Sequence, residues 1–285
     1  MPFRLANLDG RAVVVDTNDG LHDLESVSSG RLGNDPMAAL EQPALLASIT
    51  SSLDPKAAST TVAAALAAAR LGAPVPRPRS VFAVGLNYRT HAAESNMEVP
   101  ENPLVFTKFP SCITGPTTDV ELPTRFGDYE VELVLVIGKD ARRVPPERAW
   151  DYVFGLTVGQ DVSDRQLQFA AKPPHFDLGK SRDTFGPTGP VVVSLDSFAN
   201  PADLAIRSEV NGEQRQSDRT SNMIFDVPTL IAYLSSILTL RVGDLIFTGT
   251  PEGVGASSKT FLRAGDVITS TIEGIGTMTN RCIEG

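Results

Sequence analysis

Residues 128–138 read Asp-Tyr-Glu-Val-Glu-Leu-Val-Leu-Val-Ile-Gly, and the alternation within this stretch decides how the chain is read. Val, Leu and Ile fill positions 133–137, the composition of a β-strand. Side chains alternate along a strand, so Glu130 and Glu132 share one face, roughly 6–7 Å apart. Val131, Leu133, Leu135 and Ile137 take the other. Two carboxylates side by side at the mouth of an apolar strand repel each other and resist desolvation; a divalent cation between them removes that penalty. Oxygen-only donors favour a hard ion, Mg2+ or Mn2+, over Zn2+. A solvated strand face is the plain alternative for a Glu-x-Glu pair.

The surrounding composition is that of a globular protein. The 285 residues are 41% hydrophobic and 21% charged, enough to bury one large domain or one large and one small. A net charge of −9 speaks against nucleic acid or an anionic membrane as partner, although a metal and a few local cations still permit an anionic substrate. Cys112 and Cys282 lack C-x-x-C spacing, which disfavours a disulfide scaffold or structural zinc. The first ten residues lack the apolar core of a signal peptide, and the most apolar stretch, 62–69, is too short to span a bilayer. A cytoplasmic enzyme is expected.

Residues 1–24 alternate around Asp9-Gly10 and Asp19-Gly20 and read as short antiparallel strands. The Ala/Leu-rich segments 36–50 and 58–70 read as helices. The run Gly72-Ala-Pro-Val-Pro-Arg-Pro-Arg79 marks a boundary between a small amino-terminal domain, 1–72, and a larger domain, 73–285. Strands are then expected at 81–85, 104–108, 130–138, 152–160, 190–195, 205–211, 244–248 and 266–273. One amphipathic helix, 227–238, presents Leu230, Ile231, Leu234 and Ile237. Many strands and few helices imply a predominantly β, α+β roll or barrel-like core. Two echoes, Arg241-Val-Gly-Asp-Leu-Ile and Arg263-Ala-Gly-Asp-Val-Ile, read as turns feeding strands. Gly249-Thr-Pro-Glu-Gly-Val-Gly255 lacks the Walker lysine, so nucleotide binding is unsupported.

Four further segments carry candidate chemistry, each with a plainer structural reading beside it. In Gly85-Leu-Asn-Tyr-Arg-Thr-His-Ala-Ala-Glu94, His91 and Glu94 share a helical face, the arrangement of an oriented general base or of a surface ion pair. Asp161 ends an apolar run and offers a third oxygen ligand or a strand-end cap, with Arg165 and Gln168 following on a helical turn. Lys180, in a glycine-flanked loop, neutralises developing charge or is simply solvated. Thr250, in the glycine-rich run, binds a carboxylate or holds a turn.

Together and in this order, these strings resemble the fumarylacetoacetate hydrolase family over about residues 78–283: GLNYRTHAAE, DYEVELVLVIGK, GKSRDTFGPTGP, VNGEQRQ with SNMIFDVPTLIAYLS, and GDLIFTGTPEGVG. The resemblance implies a mixed β-sandwich roll with a small amino-terminal α+β domain, usually a homodimer. It implies Mg2+ or Mn2+ on Glu130, Glu132 and Asp161, a His91–Glu94 dyad, and Lys180 at a substrate oxo group. Arg165, Gln168 and Thr250 then fall on positions that hold substrate carboxylate and carbonyl oxygens. The implied substrate is a small 2-oxo acid, and the leading expectation is hydrolysis of an acylpyruvate to pyruvate and a carboxylic acid. Oxaloacetate decarboxylation and isomerisation of a 2-hydroxy-diene-dioate are alternatives on the same scaffold, and a metal-binding protein without turnover is a third. Two residues depart from the commoner pattern, Arg182 and Gln166; Arg182 suggests an anionic or hydroxylated substrate tail.

Overall fold

Backbone pairing around the 128–138 stretch organises the chain, whose computed structural model describes residues 2–285. Val131–Ile137 is a central strand, flanked antiparallel by Val153–Gln160 on one side and Leu245–Phe247 on the other. The sheet runs outward through Gly186–Val193, Arg4–Leu8, Arg11–Val15 and Gly20–Asp23 to Thr60–Thr61. In the other direction it continues through Val81–Gly85 to Leu104–Lys108. The amino-terminal strands join it directly, with Arg4 opposite Val193 and Leu5 opposite Val192. A second sheet holds Glu213–Arg219, Ala205–Val210, Val267–Ile272, Gly276–Glu284 and Val120–Leu122. The result is a sheet-rich, mixed α+β fold.

The expected alternation explains the layering. Val131, Leu133, Leu135 and Ile137 pack in one core with Ile206, Ile272 and Met278 of the second sheet. Val134 and Val136 join another, against Leu24, Leu40 and Leu46 of the amino-terminal segment. Every residue of the strand is buried, and each large apolar side chain contributes about 1.5–3 kcal/mol. Glu132 therefore sits at the head of a strand with no solvated face.

Helix Val227–Ile237 forms where periodicity places it, capped by the Asp226 carboxylate, which accepts from Thr229 N at 2.9 Å. Leu230, Ile231 and Leu234 are buried, but Ile237 is 61% exposed because the helix ends there and its last turn leaves the core. The 36–50 segment is two helices, Pro36–Ala39 and Pro43–Thr50. Pro43 has no N–H and forces Gln42 out of helical geometry, so it restarts a helix rather than continuing one. Within 58–70, Thr60–Thr61 is edge strand and only Val62–Ala67 is helical. The strand expected at 190–195 begins earlier, at Gly186, where Ile113–Thr114 pairs alongside. Both Gly-Asp echoes are the same turn: Gly243 and Gly265 take positive φ, and Asp244 and Asp266 accept from the backbone N–H of Arg241 and Arg263.

The close approach of Val153–Gln160 to Gly186–Val193 requires a glycine at 155. A Cβ there would lie 2.5 Å from the Val193 carbonyl oxygen and 2.7 Å from Val192 Cγ1. Gly155→Ala is expected to destabilise the fold by about 1–3 kcal/mol. Thermal melting checks this, and an unchanged midpoint would refute the packing described.

Candidate active site

The end of the central strand pair collects the charge. Asp161 N donates to Glu130 O at 2.8 Å, so the backbone ladder sets Asp161 beside the Glu-x-Glu segment. Carboxylate oxygens of Glu130, Glu132 and Asp161 all lie within 4.8 Å of one another, and all three residues are buried. Glu132 Oε2 accepts from Gly249 N at 2.8 Å. Gly249 reaches it with φ of +100°, and a Cβ there would collide with Asn87.

Cations answer these carboxylates from three directions. Lys180 Nζ lies 2.6 Å from Glu130 Oε2 and 2.7 Å from Asp161 Oδ2. Arg165 donates to Glu130 at 2.5 Å and to Asp128 at 2.8 Å, while its third arm donates to Gln168 Oε1 at 2.9 Å. Gln168 is thereby oriented with its amide nitrogen as donor. Lys108 is fully buried and donates to Asp161 Oδ1 at 2.7 Å, to Phe185 O at 3.1 Å and to Lys180 O.

Two of these groups escaped the sequence reading. Lys108 ends an otherwise ordinary strand, where a lone lysine reads as solvated; only the fold carries it to Asp161. Asp128 opens the 128–138 stretch but stands outside the Glu-x-Glu pattern. It binds Arg165 and accepts from Gly255 N at 2.6 Å and Ala256 N at 2.9 Å, fixing the glycine-rich loop against the site.

The proposed dyad residues lie one helical turn apart on helix Arg89–Glu94, with His91 Nδ1 2.7 Å from Glu94 Oε1. Glu94 Oε2 also accepts from Gly253 N at 2.9 Å. Burial opposes Glu94 ionisation, but these partners hold it below the usual carboxylate range. Nδ1 is thus the nitrogen tied to a carboxylate, leaving Nε2 to act as acceptor. Thr250 donates its hydroxyl to Val131 O at 2.9 Å and accepts from Gln216 Nε2 at 2.8 Å, so its proton is committed to the backbone. His91, Glu94, Glu130, Glu132, Arg165, Gln168, Lys180 and Thr250 all line one cavity of about 420 Å3, with Asp161 immediately beneath.

Its outer wall is apolar. Phe106, Phe169 and Phe176 meet edge to face, with centroids 5.6 and 6.5 Å apart, and Met97 and Pro174 extend the surface. Arg182 does not line the cavity. It is turned aside by a salt bridge to Asp164 at 2.8 Å, so the anionic-tail expectation built on Arg182 is withdrawn.

Charge balance tests whether a cation fits. Asp128, Glu130, Glu132 and Asp161 face Lys108, Arg165 and Lys180, four carboxylates against three basic side chains. The uncompensated member is Glu132: burial, together with Asp161 and Glu130, pushes its carboxyl well above the ordinary glutamate range. Burial acts on Glu130 in the same sense, but Lys180 and Arg165 overcome it and hold that carboxyl down to about 2. An all-oxygen donor set with one excess negative charge suits a hard divalent ion. A bound ion would turn the local balance positive, as an anionic substrate requires.

Residues 80–283 match the model of the fumarylacetoacetate (FAA) hydrolase C-terminal family. The chain belongs to the fumarylacetoacetate hydrolase family. Over 224 residues it is 46% identical to oxaloacetate tautomerase YisK of Bacillus subtilis, covering 76% of this chain and 74% of that protein. A Mycobacterium smegmatis crystal structure bearing the name HpcE aligns with TM-score 0.91 and 45% identity over 99% of each chain. The crystal structure of maleylpyruvate hydrolase from Sphingobium sp. SYK-6, in complex with manganese(II) and pyruvate, aligns with TM-score 0.81 and 32% identity over 99% of each.

Lys108→Met leaves buried Asp161 with only one of its two lysine partners and is expected to lower stability by about 3–5 kcal/mol, read by denaturant unfolding. In the metal-free protein, a raised Glu132 carboxyl supports the fold below the ordinary glutamate range, and that support is lost as pH rises through its raised value. Glu130 acts in the opposite sense, its contribution present above the ordinary range and lost as pH falls toward about 2. Metal-free Glu132→Gln is therefore expected to be more stable than metal-free wild type near about pH 8, with the gap closing below about pH 4. Parallel melting curves at both pH values check the sign.

Proposed function

We propose that this chain is a divalent-metal-dependent enzyme acting on small 2-oxo acids, and that its leading reaction is keto–enol conversion of oxaloacetate. The observation that carries this reading is the convergence, in one cavity, of a buried three-carboxylate cluster and a histidine whose far nitrogen is fixed by Glu94. The oxaloacetate tautomerase relative supports the choice of substrate.

Glu130, Glu132 and Asp161 would hold Mg2+ or Mn2+. When bound, the ion would draw electron density from the 2-oxo group and make the adjacent C3 proton more acidic. His91 Nε2 takes that proton while Glu94 holds the imidazole in the required tautomer. The C3–H electron pair becomes the C2=C3 double bond, and the 2-oxygen takes a proton in return, from the His91 imidazolium directly or through solvent, which restores the base. Lys180 stands where it can meet the charge developing on that oxygen. Gln168 and Arg165 orient the carboxylate end, and the phenylalanine wall limits access of water.

A second reading, hydrolysis of an acylpyruvate, is favoured by the Phe106–Phe169–Phe176 wall, which offers an apolar berth for an acyl group that oxaloacetate lacks. The same His91 would then deprotonate a water instead of C3.

Enol-oxaloacetate decay, corrected for the uncatalysed rate, tests the proposal in chelator-stripped and metal-restored enzyme. Metal-dependent acceleration is expected, with kcat lowered about 100-fold or more by His91→Ala. Metal-dependent release of pyruvate from an apolar acylpyruvate, without acceleration of oxaloacetate enolisation, would replace the leading reading with the second.

A further inference from the structure

A second cavity, of about 610 Å3, shares no lining residue with the first yet touches the same two chain segments. Tyr129, between Asp128 and Glu130, lines it; so do Lys259 and Thr260, just beyond the loop that faces His91 and Arg165. Its walls carry four basic side chains, Arg125, Arg215, Lys259 and Arg263, in a protein whose net charge is −9. Arg125, Lys259 and Arg263 form no ion pair among the described residues. Arg215 reaches Glu213 at the rim at 2.8 Å, while its buried Nε has no hydrogen-bond partner among the described residues. Among the described residues the one acid on the wall, Asp266, is occupied in bracing the loop, accepting from Asn211 Nδ2 and Arg263 N, each at 2.8 Å.

We propose that this cavity binds a small polyvalent oxyanion, a phosphate ester or a polycarboxylate. Guanidinium groups match the planar acceptor pairs of both chemistries, and gathering four like charges around one hollow is unfavourable until an anion fills it. Occupancy has a direct route to the active site. Tyr129 Oη donates to Gly253 O at 3.0 Å, Gly253 N donates to Glu94 Oε2 at 2.9 Å, and Glu94 Oε1 holds His91. Gly253 also lies tight against the Arg215 backbone, where an added Cβ would overlap the Arg215 carbonyl. An anion that draws Arg215 and Tyr129 together therefore shifts the group that orients the proposed general base.

Calorimetric titration of the metal-loaded protein with inorganic phosphate, and separately with tricarballylate, tests the site and tells the two chemistries apart. Saturable binding of at least one is expected, weakened about tenfold or more in the Lys259→Ala/Arg263→Ala double variant, whose melting temperature controls for folding. Binding that survives the double variant, or no binding of either anion at millimolar concentration, overturns the assignment. So does dissociation of an oligomer in Lys259→Glu/Arg263→Glu with no anion binding by wild type, which would make the cavity a seat for a second copy. The saturating anion is expected to change kcat or KM by about fivefold or more. Tyr129→Phe should bind the anion and lose that kinetic response; an unaltered response in Tyr129→Phe would refute the route.

Discussion

Everything at this site depends on how carboxylates are kept charged inside a folded core. Glu132 heads a strand whose two faces are both buried, and Glu130 and Asp161 are drawn to it by the same backbone ladder. Isolated, such a cluster would protonate or disperse. Lys108, Lys180 and Arg165 hold it together, but Asp128 also draws on Arg165, so four carboxylates share three cations. Glu132 is the one left without a basic partner; burial and its two acidic neighbours resist its ionisation, and a bound cation would relieve that. The rest of the fold serves this arrangement. The large sheet fixes the ladder, the second sheet backs it with Ile206, Ile272 and Met278, and the glycine-rich run supplies backbone donors to Glu132, Glu94 and Asp128.

The same geometry explains why one scaffold can serve related reactions. On the proposed function, polarising a 2-oxo acid would be common to enolisation and to acylpyruvate cleavage, and the difference would be whether His91 meets a carbon-bound proton or a water. The phenylalanine wall and the helix carrying His91 contribute none of the three clustered carboxylates. Substrate choice is therefore separable from cation binding, consistent with a tautomerase and a hydrolase both standing among the similar proteins.

Much of this was legible in the chain because it is local. The Glu-x-Glu alternation, the His91–Glu94 spacing and the apolar set of helix Val227–Ile237 each depend on residues a few positions apart, where strand and helix periods act directly. What stayed hidden is long-range. Lys108 meets Asp161 across 53 positions, and no pattern around Lys108 distinguishes it from a solvated lysine. Asp128 acts through Gly255 and Ala256, more than a hundred residues away. Arg182 misled for the converse reason: its place beside Lys180 in sequence suggested the cavity, but Asp164, the cap of helix Arg165–Gln168, captures it first. Ile237 kept the helical period and still missed the core, since periodicity does not say where a helix outruns its partner.

A divalent cation held by the buried triad would sit at the floor of the cavity, within reach of a 2-oxo acid. Electron paramagnetic resonance of Mn2+ added to chelator-stripped protein measures this most directly. One tightly bound ion per chain, with a spectrum that changes when oxaloacetate or pyruvate is added, is the predicted result. No tight binding, or a bound-ion spectrum indifferent to both acids, would contradict it.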